Sequence, residues 1–268
     1  MDKDPSFETF MNQKFRLNGQ VALITGAVGQ LGRQFSATLG QAGASVVISD
    51  LKGRDCQDFS NTLEARGIRA VPIGMDVSKP ASVKRGFESV ATQLGHLNVL
   101  VNNAGIAVFD PFEERSFSDF MRVLTVNVAG TFLCTQAAVR IMKNQPTGGR
   151  IVNIGSVYGL VSGDPRIYTD CSRNTSEVYA ASKAAVIQMT RYWAVHLAKY
   201  NIRVNVISPG GVFNQQGANF IKNYSERTPM GRMAREDELN GAVLFMASDA
   251  SSYITGHNLV VDGGWTTW

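Results

Sequence analysis

The chain has 268 residues, 44% hydrophobic and 18% charged, with 26 glycines against 8 prolines; this is a globular composition that excludes fibrous and low-complexity architectures. Twenty-six Lys and Arg against 22 Asp and Glu leave a net charge of +4 without a clustered basic stripe, so no nucleic-acid partner is expected. No apolar stretch approaches the ~20 residues of a membrane span, and residues 1–18 lack a signal peptide's basic-then-apolar layout, so no membrane partner is expected and the chain reads as cytoplasmic.

In chain order, residues 1–16 read as an arm or an oligomer contact, and residues 17–268 as one domain. Short apolar runs rich in Val and Ile fall at Val21 to Ile24, Val46 to Ile48, Val71 to Ile73, Val99 to Val101, Ile151 to Ile154, Val204 to Ile207 and Leu259 to Val261. Continuous runs of this kind suit strands covered on both faces. Helical patterns separate them at Leu31 to Ala42, Cys56 to Arg66, Ser82 to Leu94, Phe117 to Met142, Val178 to Lys199 and Glu236 to Ala247. The alternation predicts an α/β fold, a doubly wound parallel sheet of about seven strands with helices on both faces. Cys56, Cys134 and Cys171 are scattered, with no CxxC and no His at ligand spacing, so inert thiols and no metal site are expected.

The first strand runs into Thr25-Gly26-Ala27-Val28-Gly29-Gln30-Leu31-Gly32 and then a helix. Such a turn lets backbone approach a pyrophosphate, whose charge meets free N–H groups and the positive helix end. Asp50 ends the second strand 18 residues beyond Gly32. An acid there accepts hydrogen bonds from ribose hydroxyls and repels a 2′-phosphate, which favours NAD over NADP. Asp76-Val77 and Asn102-Asn103-Ala104-Gly105 follow the third and fourth strands, at the strand ends where open α/β sheets bind ligands. Tyr179 and Lys183 stand one helical turn apart on one face, and a neighbouring cation favours the ionised phenol. Ser156 follows the fifth strand and Asn127 lies in the preceding long helix.

With Pro209-Gly210 and Val261-Asp262-Gly263-Gly264, these motifs resemble the short-chain dehydrogenase/reductase family over essentially the whole chain. The resemblance implies a Rossmann-type sheet, Tyr179 as acid/base, Lys183 lowering its pKa and holding the nicotinamide ribose, and Ser156 positioning the carbonyl. Asn127 would hold a water linking Lys183 to solvent. The implied cofactor contacts are Gly26, Gly29, Gln30, Leu31, Gly32, Asp50, Asp76, Val77, Asn103, Ala104, Gly105, Tyr179, Lys183, Pro209, Gly210 and Val212. A homodimer or homotetramer is the implied assembly.

Two features depart from the family's short branch. The glycine spacing places Gly29 and Gln30 where Gly is usual at position 30, and Tyr179 stands 23 residues beyond Ser156. Both resemble the extended branch of nucleotide-sugar epimerases and dehydratases. Only 85 residues follow Lys183, too few for that branch's substrate domain. Asn214 replaces the family Thr after the Pro-Gly pair. Tyr168 has Ser172, not Lys, four residues on, so it is assigned with Tyr158, Arg166 and Arg173 to small-molecule substrate contact in the Ser156 to Tyr179 insertion. Arginine suits carboxylate or phosphate there. Residues 213–235 read as a mobile lid. The expected function is NAD-dependent interconversion of a secondary alcohol and a ketone on a sugar, sugar acid or activated sugar. The alternatives are an epimerase or dehydratase that retains NAD and, outside enzymes, a dinucleotide-responsive binding protein.

Overall fold

The computed structural model describes residues 9, 10, 13–169 and 173–268. Each apolar run forms a strand: β1 (Val21–Thr25), β2 (Ser45–Asp50), β3 (Ala70–Gly74), β4 (Val99–Asn102), β5 (Gly149–Ile154), β6 (Ile202–Pro209) and β7 (Asn258–Val261). They pair in parallel in the order β3-β2-β1-β4-β5-β6-β7. The order reverses between β1 and β4, which opens a crevice at their carboxyl ends.

Strand side chains alternate between two cores. Ala22, Ile24, Val46 and Ile48 pack with α1 (Gln30–Gln41), α2 (Gly53–Glu64) and α8 (Asn240–Ala247), through Phe35, Leu39, Phe59, Leu63 and Val243. Val21, Leu23 and Val47 face α3 (Pro80–Leu94), α5 (Thr131–Met142) and α6 (Glu177–Leu197), through Phe87, Val90, Ala138 and Ala194. A period of two with apolar residues on both faces is what a sandwiched parallel sheet demands.

The helix expected over 117–142 is α4 (Phe117–Leu124), a π-helical stretch (Thr125–Gly130) and α5 in direct succession. Asn127 lies on the π stretch, a distortion that frequently marks functional sites. The helix expected from Glu236 begins regularly only at Asn240, because the Glu238 carboxylate is drawn to Arg232 and to the N–H of Arg235. Within 213–235, expected as a lid, α7 (Ala218–Arg227) forms. It joins a third small core in which Val157 and Ile167 of the insertion pack with Tyr224, Met233 and Trp265. The insertion itself runs through short 3-10 turns at Val157–Gly159 and Pro165–Ile167.

Leu17, fully buried, donates its N–H to Ala42 O at 2.8 Å and marks the entry of the chain into the domain. Much of the preceding arm lies outside the described residues, as do Asp170, Cys171 and Ser172. Cys56 and Cys134 are buried thiols, pushed up to about 11 and about 12 by burial. No helix among the described residues is long and apolar enough to cross a membrane.

Candidate active site

The β1–α1 turn is built by backbone proximity. Gly26 takes φ +64°, and a Cβ there would lie 2.9 Å from the Ala104 Cα. At Gly32 a Cβ would lie 2.1 Å from the Gly26 carbonyl oxygen, so glycine is what allows α1 to start against the turn. Gly29 caps α1 without a side-chain hydrogen bond, and no acid stands in the first turn. The helix end therefore offers its N–H groups and positive dipole outward. Thr25 and Asn103 join the two strand ends: Asn103 Nδ2 donates to the carbonyls of Thr25 and Gly26 at 3.1 and 3.0 Å, and Thr25 Oγ1 accepts from the N–H groups of Asn103 and Ala104.

A groove of about 360 Å³ runs from this turn along Leu31, Asp50, Asp76, Val77, Ala104 and Gly105. The Asp50 carboxylate accepts from the N–H groups of Val28 (3.2 Å) and Leu51 (2.8 Å), which fixes it at the groove wall. Asp76 is turned instead into its own loop, accepting from the Ser78 N–H and hydroxyl at 2.9 and 2.6 Å. A cleft of about 470 Å³ continues the groove, sharing Gln30, Leu31, Asn103, Gly105 and Ile106 with it. Ser156, Tyr179, Lys183, Gly210 and Val212 line this cleft, with Pro209 at the end of β6 beside them. A dinucleotide fits the joined channel, because the uncapped helix end, the carboxylate and the Cβ-free floor at Gly26 and Gly105 follow one another along it.

Ser176 caps α6 by accepting from the Tyr179 N–H, which sets Tyr179 on the first turn. Ser156 and Tyr179 both line the cleft. Burial raises the Tyr179 pKa, and the Ser156 hydroxyl opposes that rise. Lys183 lies one turn on, 5% exposed, and donates to the Ile154 carbonyl at 2.7 Å. Its ammonium stands over the Tyr179 ring, 5.5 Å from the centroid, and burial brings its pKa down to about 8. Desolvation of the phenol is the largest cause of the Tyr179 shift, so its direction is upward, opposite to the lowering expected from Lys183. Asn127 sits behind the cleft: its amide accepts from Ile106 N–H (2.8 Å) and donates to Ile106 O (2.9 Å) and Ser182 Oγ (3.0 Å). A Cβ on Gly105 would lie 3.4 Å from Asn127 Oδ1 and 3.5 Å from Lys183 Nζ, so this glycine leaves both groups within reach of the channel.

Tyr158, Tyr168 and Arg173 of the insertion line the cleft as expected; Arg166 does not. Its guanidinium grips Asp164 with Nε and Nη2 at 2.9–3.2 Å and its side chain is 74% exposed, so the structure does not bring Arg166 into the cleft where it was expected to meet substrate. Asp164 also pairs with Arg227 at the end of α7, which joins insertion and lid. Phe109, Thr175, Gln216, Phe220, Tyr224 and Met233 complete the wall without having been anticipated. A buried polar chain was missed as well: Asn102 Nδ2 donates to Thr135 Oγ1 and to Asn153 Oδ1 (2.8 Å), and Asn153 Nδ2 donates to Thr190 Oγ1 (2.8 Å). The residues are too far apart in sequence for a local signal, although Asn at the ends of two apolar runs hints at the pairing.

Fold and site together define a nicotinamide-dinucleotide oxidoreductase. A family model described as enoyl-(acyl carrier protein) reductase matches residues 26–266. Among relatives, a 3-oxoacyl-[acyl-carrier-protein] reductase FabG of Thermotoga maritima is 36% identical over 253 residues, 93% of this chain and 98% of the relative. The 5-keto-D-gluconate 5-reductase of Escherichia coli is 34% identical over 260 residues, 95% of this chain and 98% of the relative. Among solved structures, a gluconate 5-dehydrogenase from Burkholderia cenocepacia in complex with NADP and tartrate superimposes with a TM-score of 0.88 at 32% identity, covering 96% of this chain and 99% of that one. A short chain dehydrogenase from Leptospira borgpetersenii with bound NAD+ gives a TM-score of 0.85 at 39% identity, covering 96% and 95%. The chain belongs to the short-chain dehydrogenase/reductase family and is an NAD(P)-dependent enzyme acting on CH–OH groups.

Proposed function

We propose that the enzyme interconverts a secondary alcohol and a ketone on a sugar, sugar acid or activated sugar, with NAD(H) as redox partner and Tyr179 as acid/base. The observation that carries this reading is that Ser156, Tyr179 and Lys183 line one cleft, with the Lys183 ammonium over the Tyr179 ring, and that this cleft is continuous with the dinucleotide groove. A bound nicotinamide dinucleotide supplies the two-electron acceptor or donor. Ser156 and Tyr179 hold the substrate oxygen between two hydroxyls. In oxidation the Tyr179 phenolate takes the alcohol proton, and in reduction the phenol returns it. The Lys183 ammonium stabilises the phenolate, and Asn127 holds a water through which Lys183 exchanges protons with solvent.

Asp50 supports NAD over NADP, because a 2′-phosphate at that wall would meet a carboxylate already held in place by two N–H groups. The named activities of the E. coli and B. cenocepacia relatives support a polyhydroxy substrate. The protein assembles as a homodimer or homotetramer, supported by the exposed apolar side chains Phe117, Val195 and Trp268.

The test is absorbance at 340 nm with polyols, aldonates and nucleotide sugars, each with NAD and with NADP. NADH accumulation with a polyol or aldonate, and a higher kcat/KM for NAD than NADP, is the expected result. Epimer formation without net absorbance change assigns the enzyme to the hydride-returning class instead. A preference for NADP in the wild type removes Asp50 as the selector.

A further inference from the structure

We propose that Arg173 forms an anion-binding subsite on the cleft wall, and that the substrate is a polyhydroxy compound carrying a carboxylate or phosphoryl group. This rests on the reading of Ser156, Tyr179 and Lys183 as an alcohol/ketone centre. Arg173 and Lys183 are the charged side chains among the described residues lining the cleft, and no Asp or Glu accompanies them. Lys183 is buried and engaged with Ile154 O, which leaves Arg173 as the charge presented to a ligand.

The guanidinium of Arg173 stacks on Phe109, its carbon 4.2 Å from the ring centroid. Stacking occupies the face of the guanidinium and leaves its N–H edge for a planar or tetrahedral anion. Nearby arginines are committed elsewhere: Arg115 to Glu177, and Arg166 and Arg227 to Asp164. Among the described residues no carboxylate lies within ion-pair distance of Arg173.

The wall carrying this pair is tied down. Asn174 N–H donates to Phe109 O at 3.2 Å, joining the residue after Arg173 to its stacking partner. Arg115, its side chain 3% exposed, donates to Val108 O at 3.2 Å, Asp110 O at 2.8 Å and Glu177 Oε1 at 2.7 Å, which clamps the loop after β4 to the start of α6. Positioned guanidinium and reacting hydroxyls therefore share one cleft on a common frame. The phenol of Tyr158 is held protonated by burial, and Thr175 Oγ1 lies 3.5 Å from the Tyr168 hydroxyl. Together they add neutral hydrogen-bonding groups suited to substrate hydroxyls between the two ends.

The experiment compares D-sorbitol, D-gluconate and D-sorbitol 6-phosphate on the wild type, Arg173→Ala and Arg173→Lys. Turnover is read as kcat/KM with NAD. Binding is read separately by calorimetry on NAD-saturated protein carrying Tyr179→Phe, with and without each Arg173 substitution. The wild type is expected to bind at least one anion more tightly than sorbitol. Arg173→Ala should cut the anion-to-sorbitol ratio about 10- to 100-fold, the size of a charge-assisted hydrogen-bond pair, and Arg173→Lys should recover part of it. The gluconate and phosphate arms decide which anion is recognised. An unchanged ratio in Arg173→Ala, or no anion bound by the wild type at millimolar concentration, overturns the subsite. Arg173-dependent anion binding without turnover of any probe keeps the subsite and counts against the redox reading; turnover indifferent to Arg173 does the reverse.

Discussion

Gln30 Nε2 donates to the main-chain oxygen of Phe213 across 2.7 Å, joining the dinucleotide turn to the segment that leads into α7. Residue 30 is where the short branch resembled by the sequence usually carries glycine, so the side chain that departs from the motif is the one that ties the β1–α1 turn to the Phe213 segment. Gln30 lines both the groove and the cleft at this junction.

Gln30→Ala should therefore loosen the 213–235 segment while costing little overall stability, about 0.5–1.5 kcal/mol for one exposed hydrogen bond. Limited trypsin digestion is expected to cut at Arg227, Arg232 and Arg235 several-fold faster in the variant. NAD should slow the same cuts in the wild type. Equal cleavage of variant and wild type would show that the bond does not restrain the segment.

Tyr179→Phe removes the hydroxyl and keeps the ring. Loss of general acid/base catalysis is expected to lower kcat by about 10²- to 10⁴-fold, with NAD affinity nearly unchanged because Tyr179 is not among the residues lining the dinucleotide groove. Fluorescence titration with NADH gives the affinity, and residual turnover near the wild-type rate would remove Tyr179 from the chemistry.

Lys183 gives a pH signature in stability. Its pKa falls from 10.5 unfolded to about 8 folded, so between these values the unfolded state binds more protons and the contribution of this group to stability rises with pH. Below pH 8 both states are charged and the folded protein bears the full cost of burying the ammonium. The stability of the wild type relative to Lys183→Met is expected to climb from pH 8 to 10.5, as read by urea midpoints; a flat difference contradicts the shift. Tyr179 acts in the opposite sense at higher pH, because its raised pKa favours the folded state's protonated form and that contribution is lost as the phenol ionises.

Gly32→Ala places a methyl against the Gly26 carbonyl and the Ala27 Cα, both backbone atoms that cannot swing aside. Overpacking of this kind costs about 1–3 kcal/mol, and here it also displaces the dinucleotide turn. A lowered melting temperature together with weakened NAD binding is expected. Gly241→Ala, in α8 with no atom beyond its own stretch of helix within 4 Å of the added carbon, serves as the control and should leave NAD binding intact.

The sheet was legible because each strand declares itself locally. Val46 to Ile48 and Val99 to Val101 are apolar on both faces, and glycine or asparagine follows where the chain must turn toward a ligand. The Ser156, Tyr179 and Lys183 set was legible for the same reason, since one helical turn sets the Tyr–Lys spacing. Arg166 illustrates the limit: its chemistry suited an anion, but Asp164 two residues away captured it, and nothing in the local pattern separated Arg166 from Arg173. The interruption of the 117–142 helix at Asn127 was equally hidden, because a π stretch leaves the apolar pattern intact.

The sequence by itself determined the order of strands and helices along the chain, the glycine turn after β1 and the Tyr179–Lys183 spacing, because periodicity and turn chemistry act over a few residues. The tertiary structure decided the rest. Phe109, Arg173 and Tyr224 come from three separate segments, and they line one cleft because the insertion, α7 and the C-terminal Trp265 share a small core of their own. Such a wall depends on packing between distant segments, and no local pattern encodes which arginine it leaves lining the cleft.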